Sequence, residues 1–190
     1  MKHLVTPRLL MRPYTLGDHA DFHTLCNTPE IMKIPSTENS LTFEKSLSDL
    51  HKIISDFDRN GYGMFAMIER KEKRLIGQCG LRLDEANGRI ELGFTLLPES
   101  RGRGYATEAC MEVLRFAFTE IGLEKIFATV PEEDRPSSRV LEKIGMVYSS
   151  REKLSDRMVV LYKIERPQKA AGALFLTTYS HIPKFSFPAL

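Results

Sequence analysis

The order of apolar and polar positions divides the chain into short strand-like runs and two long helical stripes. Phe43, Leu47, Leu50, Ile54 and Phe57 recur at intervals of four, three, four and three residues. That spacing predicts an amphipathic helix, which Asn60 and Gly61 bring to an end. A second stripe, Ala106, Ala109, Cys110, Val113, Ala117 and Ile121, predicts a helix over 105–121. Its polar side carries Glu108, Glu112, Arg115 and Thr119, and Gly122 stands just past its end, where a left-handed residue is needed. Shorter helices are predicted over 18–26 and over 136–144, the latter opened by Pro136 and stopped by Gly145. Residues 31–40 and 131–135 read as loops.

The strands are marked by apolar runs and turn residues. Residues 63–69 and 75–83 are nearly continuous apolar runs, separated by a charged turn. Asn87 followed by Gly88 is a strong hairpin signal. Over 89–97, Ile90, Leu92, Phe94 and Leu96 share one face, and Glu91, Gly93 and Thr95 share the other. Gly93 in mid-strand predicts a bulge or the close approach of another backbone. A strand over 9–12 that Pro13 stops, a strand over 125–130 and a final hairpin over 148–154 and 158–164 complete a set of seven.

Composition narrows the class without deciding it. The 190 residues are 42% apolar and 27% charged, which is ordinary for one globular domain with a full core. We expect residues 1–166 to form that domain. A net charge of +2 gives no argument for a nucleic-acid or membrane partner. Cys26, Cys79 and Cys110 are far apart and lack metal-ligand spacing, as buried free thiols of a reducing compartment would. No signal-peptide apolar region opens the chain, so a cytoplasmic protein is expected. His19 and His23 lie four apart on a predicted helix without a third ligand, so a structural role is expected and no metal. Residues 167–190 differ: they hold no Asp or Glu, three prolines and an apolar patch at 173–176. This tail is expected to add a strand or to cover a partner, so the protein could be a monomer or a homodimer.

Candidate chemistry concentrates where the strand over 89–97 meets the helix over 105–121. There Gly102 and Gly104 alternate with Arg101 and Arg103. Glycines open backbone conformations closed to other residues. Free N–H groups at a helix start, helped by the helix dipole, form a concave anion site. Guanidinium groups add charge and fork geometry suited to phosphate. The residues therefore suggest a pyrophosphate cradle, although a solvated surface turn fits the same four residues. A P-loop is excluded by Tyr105-Ala106, where Lys and Ser or Thr would be needed. A dinucleotide fingerprint is disfavoured by Thr107 and by the antiparallel hairpins that precede the loop.

The motifs in order resemble the GNAT superfamily of N-acetyltransferases, and most closely its RimJ/RimL-like branch. Thr6-Pro7-Arg8-Leu9-Leu10-Met11-Arg12 resembles the opening of that branch, and Glu91-Leu92-Gly93-Phe94 its fourth strand. Arg101-Gly102-Arg103-Gly104-Tyr105-Ala106 is similar to the superfamily's Gln/Arg-x-x-Gly-x-Gly/Ala, and residues 137–145 to its late helix. The resemblance implies an α/β (α+β) fold with a strongly bent mixed sheet of about seven strands, flanked by helices. It implies that the fourth and fifth strands splay apart to admit acetyl-CoA. Arg101, Gly102, Arg103, Gly104, Tyr105, Ala106 and Thr107 would hold the pyrophosphate. Phe94, Thr95 and Leu96 would pair with the pantetheine arm. The chain departs from the family pattern at Asp134, where Asn usually contacts that arm, at Leu141, where many members carry a Tyr acid, and at Met146, where Phe is usual.

The implied reaction is direct acetyl transfer from the thioester to a primary amine. Glu91 is the candidate base, with a solvent-facing carboxylate or a partner for Arg89 as the other reading. Backbone N–H groups of 94–96 would polarise the carbonyl. Ser137 is the candidate acid toward the departing thiolate, with a helix-cap serine as the other reading, and Tyr148 stands in reserve. The branch resemblance points to the α-amine of a protein N-terminus as acceptor. An α-amine titrates near ~8 and a lysine amine near ~10.4, so the former asks less of a base. A polyamine or aminoglycoside-like amine, or a non-catalytic acyl-CoA-binding module, are the alternatives.

Overall fold

The hairpins signalled by the turn residues join into one continuous meander. A computed structural model of the chain describes residues 2–32, 40–154 and 157–167. Its strands are β1 (Leu4–Val5), β2 (Leu9–Pro13), β3 (Met64–Glu69), β4 (Arg74–Asp84), β5 (Arg89–Leu96), β6 (Lys125–Pro131), β7 (Val147–Leu154) and β8 (Arg157–Glu165). These eight strands form one sheet in the order β1-β2-β3-β4-β5-β6-β8-β7. All neighbours are antiparallel except β5 and β6. The sheet is thus mixed, and the expected seven strands become eight because a two-residue β1 pairs with β2. Two residues are too few to show a period.

Both faces of the sheet are covered. Phe65 and Met67 of β3 join a core with α4 (Tyr105–Phe116) and α5 (Arg135–Lys143), through Val113, Leu114, Leu141 and Ile144. Ala66, between them, joins the opposite core with Phe22 of α1 (His19–Cys26) and Leu50 of α3 (Phe43–Asn60). This is the period-two alternation of a strand buried on both sides. Thr42 caps α3 by accepting from the Lys45 N–H, and Gly61 closes it in the left-handed conformation. Residues expected to be loop at 31–32 instead end a single helical turn, α2 (Pro29–Met32). The rest of that loop and the tail, with its 173–176 patch, lie outside the described residues. No helix among the described residues is long and apolar enough to cross a membrane.

Three sequence expectations are corrected. Gly93 neither carries a bulge nor meets a backbone: β4 and β5 pair without a break, and a Cβ added there would meet only the Met64 side chain at 3.9 Å. The close approaches fall at Gly80 and Gly77, where an added Cβ would lie 2.1 Å from the Gly63 carbonyl oxygen and 2.2 Å from that of Thr95. The bulge lies between β3 and β4, beside Met67 and Ile68. Second, the polar stripe of Glu108, Glu112, Arg115 and Thr119 does not share one environment: Glu108 and Glu112 are buried and Thr119 is exposed. Each glutamate is enclosed by a cation, Arg8 and Arg115 respectively. Third, the helix of 105–121 is α-helical only to Phe116 and ends in a π-helical turn, Ala117–Ile121, before left-handed Gly122.

Candidate active site

The site is built where β5 and β6 part. Their one paired position is Glu91 with Phe127. Beyond it, β5 runs on toward Leu96 paired only with β4. The opposite edge of Phe94, Thr95 and Leu96 therefore presents backbone donors and acceptors to an extended ligand. Past Leu97, a short 3-10 turn at Pro98–Ser100 leads into the loop 101–104 and then into α4. Both loop glycines are left-handed, Gly102 at φ 74° and Gly104 at φ 81°. A Cβ at Gly102 would meet no atom within 4 Å, so that side of the loop is open. Conformation, not space, requires glycine there.

Gly104 is the residue before the first turn of α4 and offers no side-chain cap. The N–H groups of Tyr105, Ala106 and Thr107 then lack intrahelical acceptors and face the positive end of the dipole. Arg101 and Arg103 are exposed beside them. The Arg101 Nε–H donates to the Leu96 carbonyl at 3.1 Å, which ties the loop to the end of β5. Unsatisfied N–H groups, left-handed glycines and an unpaired strand edge meet at one place. They fit an elongated ligand with a polyanionic segment.

The segment before β2 locks this loop. The buried Glu108 carboxylate accepts from the Thr6 hydroxyl at 2.6 Å, from the Arg8 N–H at 3.0 Å and from the Arg8 Nε–H at 2.6 Å. Arg8 Nη1 donates to the Arg103 carbonyl at 2.7 Å, and the guanidinium lies 4.6 Å from the centre of the Tyr105 ring. Sequence reasoning missed Arg8 as part of the site, and Glu108 and Thr6 as supports behind it that do not bond the loop. Their only signal was the Thr6-Pro7-Arg8 opening, which carried no chemistry by itself.

Glu91 lies at the fork and is 6% exposed. Both carboxylate oxygens are bonded: Oε1 accepts from the Thr129 hydroxyl at 2.7 Å, and Oε2 from Arg82 at 2.9 and 3.3 Å. Neither sequence reading of Glu91 as a structural group survives. It does not face solvent, and its partner is Arg82. Arg89 instead lies over the Phe127 ring at 5.3 Å and 3.7 Å from Glu152. An ionised carboxylate has about four acceptor positions. Three donors leave Glu91 about one free acceptor position, and the Arg82 side chain that bonds it is itself 63% exposed.

Ser137 stands in the first turn of α5, the helix that follows β6. Asp134, not Ser137, caps that helix. Its Oδ1 accepts from the Ser137 N–H at 3.1 Å, and its Oδ2 from the Ser137 hydroxyl at 2.7 Å. No hydrogen bond joins Ser137 to Glu91 among the described residues. Leu141 and Met146, the two departures farther along, are core residues. Tyr148 lies on edge strand β7 and is 62% exposed. His19 and His23 bond the hydroxyl of Ser46 on α3, each at 2.9 Å, and so join α1 to α3. Cys79 and Cys110 touch at 3.7 Å between β4 and α4, and burial pushes the Cys110 thiol well above its ordinary value.

Comparison with known proteins agrees with this geometry. The family model described as "Acetyltransferase (GNAT) domain" matches residues 8–147. The N-acetyltransferase YnaD of Bacillus subtilis is 32% identical over 145 residues, which cover 76% of this chain and 82% of the relative. The crystal structure of spermidine N-acetyltransferase from Vibrio cholerae, in complex with CoA and spermine, superposes with a TM-score of 0.71 at 25% identity, covering 84% of this chain and 96% of that one. The structure of RimL, a ribosomal L7/L12 α-N-protein acetyltransferase in complex with coenzyme A, superposes with a TM-score of 0.76 at 12% identity, covering 86% and 98%. At that identity the likeness is one of fold.

Proposed function

Because the chain belongs to the GNAT acetyltransferase family and is an N-acetyltransferase, we propose that it moves acetyl from acetyl-CoA to the α-amine of a polypeptide N-terminus. The observation that carries the co-substrate is the joining of the β5–β6 fork to the left-handed Gly102–Gly104 loop. The N–H groups of 104–107 would hold the pyrophosphate, with Arg101 and Arg103 adding charge. The free edge of Phe94, Thr95 and Leu96 would hold the pantetheine arm. Asp134 serves that arm only as an acceptor, since its carboxylate has no proton to give. When bound, the thioester supplies an acetyl group open to attack by a free amine.

The chain's own residues then manage two protons. Glu91 takes one from the incoming ammonium, directly or through a water. Backbone N–H groups of 94–96 stabilise negative charge on the carbonyl oxygen. The second proton leaves the nitrogen of the tetrahedral adduct and passes to the departing thiolate through the Ser137 hydroxyl, once that hydroxyl turns from Asp134. A thiol of pKa about 8.5 leaves without a strong acid, so a serine suffices there.

The paired state of Glu91 favours a monoamine. With Arg82 bound to its carboxylate, this corner carries little net negative charge to attract a polycation. The likeness to a spermidine enzyme at 25% identity supports polyamines as the second reading. An acceptor panel decides between them. Acetyl-CoA turnover is measured on short peptides with free and blocked N-termini, on lysine side chains and on spermidine. The reading expects turnover with the free N-termini alone, and turnover confined to spermidine refutes it.

A further inference from the structure

We propose that Arg8 is a positioning residue for the anion cradle, acting through the peptide plane between Arg103 and Gly104. This rests on the assignment of loop 101–104 to the pyrophosphate. The carbonyl and the following N–H of a trans peptide point in opposite directions. Arg8 Nη1 holds the Arg103 carbonyl at 2.7 Å. The Gly104 N–H is therefore turned away from Arg8, in a loop where a Cβ added at Gly102 would meet no atom within 4 Å. Without that bond the plane can turn about ψ of Arg103 and φ of Gly104, the second of which glycine leaves wide.

Arg8 is itself held on every side. Its Nε and backbone N–H bond Glu108, its Nη2 lies 2.6 Å from the same carboxylate, and its face stacks on Tyr105. Glu108 stands one turn into α4, so the guanidinium spans the helix start and the loop at once. Only a planar fork can do this; an ammonium is a point charge. A Cβ at Gly104 would lie 3.4 Å from Arg8 Nη2, so the guanidinium packs directly beside that residue. The loop is thereby set before ligand arrives, which lowers the ordering cost of binding.

The test compares Arg8→Lys with Thr6→Val. The lysine keeps a cation beside Glu108 but cannot also reach the Arg103 carbonyl. The valine removes the hydroxyl that donates to Glu108 and accepts from the Leu9 N–H, and leaves that carbonyl bonded. Calorimetric titration with CoA should show a roughly tenfold loss of affinity for Arg8→Lys, about 1.4 kcal/mol. Thr6→Val should stay within about twofold of wild type while melting lower. In turnover, Arg8→Lys should lose kcat/KM with acetyl-CoA but not with S-acetylpantetheine, which has no pyrophosphate. Equal CoA affinity in Arg8→Lys and wild type overturns the proposal and leaves the acetyl-transfer reading standing. Equal losses with both thioesters also overturn it, since the effect would then lie outside the cradle. A wild type with no CoA affinity overturns both.

Discussion

Replacing Glu91 with Gln tests the base and the acceptor class in one experiment. The amide is nearly isosteric, and its oxygen can still accept from Thr129. Arg82 loses its partner but is 63% exposed and rehydrates, so the fold should lose no more than about 1 kcal/mol. CoA affinity should not change, because no cradle residue touches Glu91. Turnover is what changes. A positioned base contributes about 10²–10⁴ in rate, so neutral-pH kcat should fall by that order. The residual rate then follows the free-amine fraction of the acceptor. For an α-amine of pKa about 8 that fraction rises roughly tenfold from pH 7 to pH 9; for an amine of pKa about 10.4 it rises roughly a hundredfold. Stopped-time assays of both proteins on a peptide acceptor across this range give the ratio directly. A variant whose rate parallels wild type at every pH would show that Glu91 moves no proton. A hundredfold rise would place the proton problem on a side-chain amine or polyamine instead.

Two further outcomes follow from the geometry. Gly104→Val forces a β-branched residue to φ 81° at a cost of about 1–3 kcal/mol and presses on Arg8. It should melt lower than wild type and lose the rise in melting temperature that saturating CoA gives wild type, so an undiminished rise would remove Gly104 from the cradle. Asp18 is buried, which by itself would raise its pKa, but hydrogen bonds from Arg12 and Thr15 outweigh burial and hold it below the usual carboxylate value. Its contribution is therefore complete above the unfolded value of about 3.9 and is lost as pH falls through the lower folded value. Asp18→Asn should melt lower at pH 7 but approach wild type in strong acid, and a constant gap down to pH 2 would contradict the assignment.

Local rules carried most of the fold. Gly61, Gly88 and Gly122 all adopt the left-handed conformation their neighbours demanded, and the stripe ending at Phe57 became α3. The failures share a cause, which is that periodicity describes one element and not what covers it. The polar stripe of α4 could not mark Glu108 as buried, because the helix alone does not reveal the N-terminal segment bonded to it. Gly93 drew attention as the glycine of a clear strand, while Gly77 and Gly80 sat unremarked in an apolar run. Which glycine meets another backbone depends on strand pairing and sheet curvature, and neither is local. Phe43 was counted in the apolar stripe, yet it is 52% exposed and lies against the rings of His19 and His23 instead of the sheet.

The site divides along the same line. Its cradle was legible because glycines, arginines and a helix start lie within a few residues. The partner of Glu91 was legible too, and was missed. From the Asp84–Arg89 pair beside the Asn87-Gly88 turn, two residues back along each strand reach Arg82 and Glu91 directly opposite. Side chains so placed share a face and interact, so the ion pair follows from the hairpin register without a structure. The Asp134 cap had a comparable signal, an acid three residues before Ser137 at the start of a helix opened by Pro136. Arg8 had none. It reaches the Arg103 carbonyl across 95 residues of sequence, and the group it holds is a main-chain oxygen, which every residue carries alike. A contact of that kind leaves no mark at one of its two ends, so it can be found only after the sheet has brought β2 and the start of α4 together.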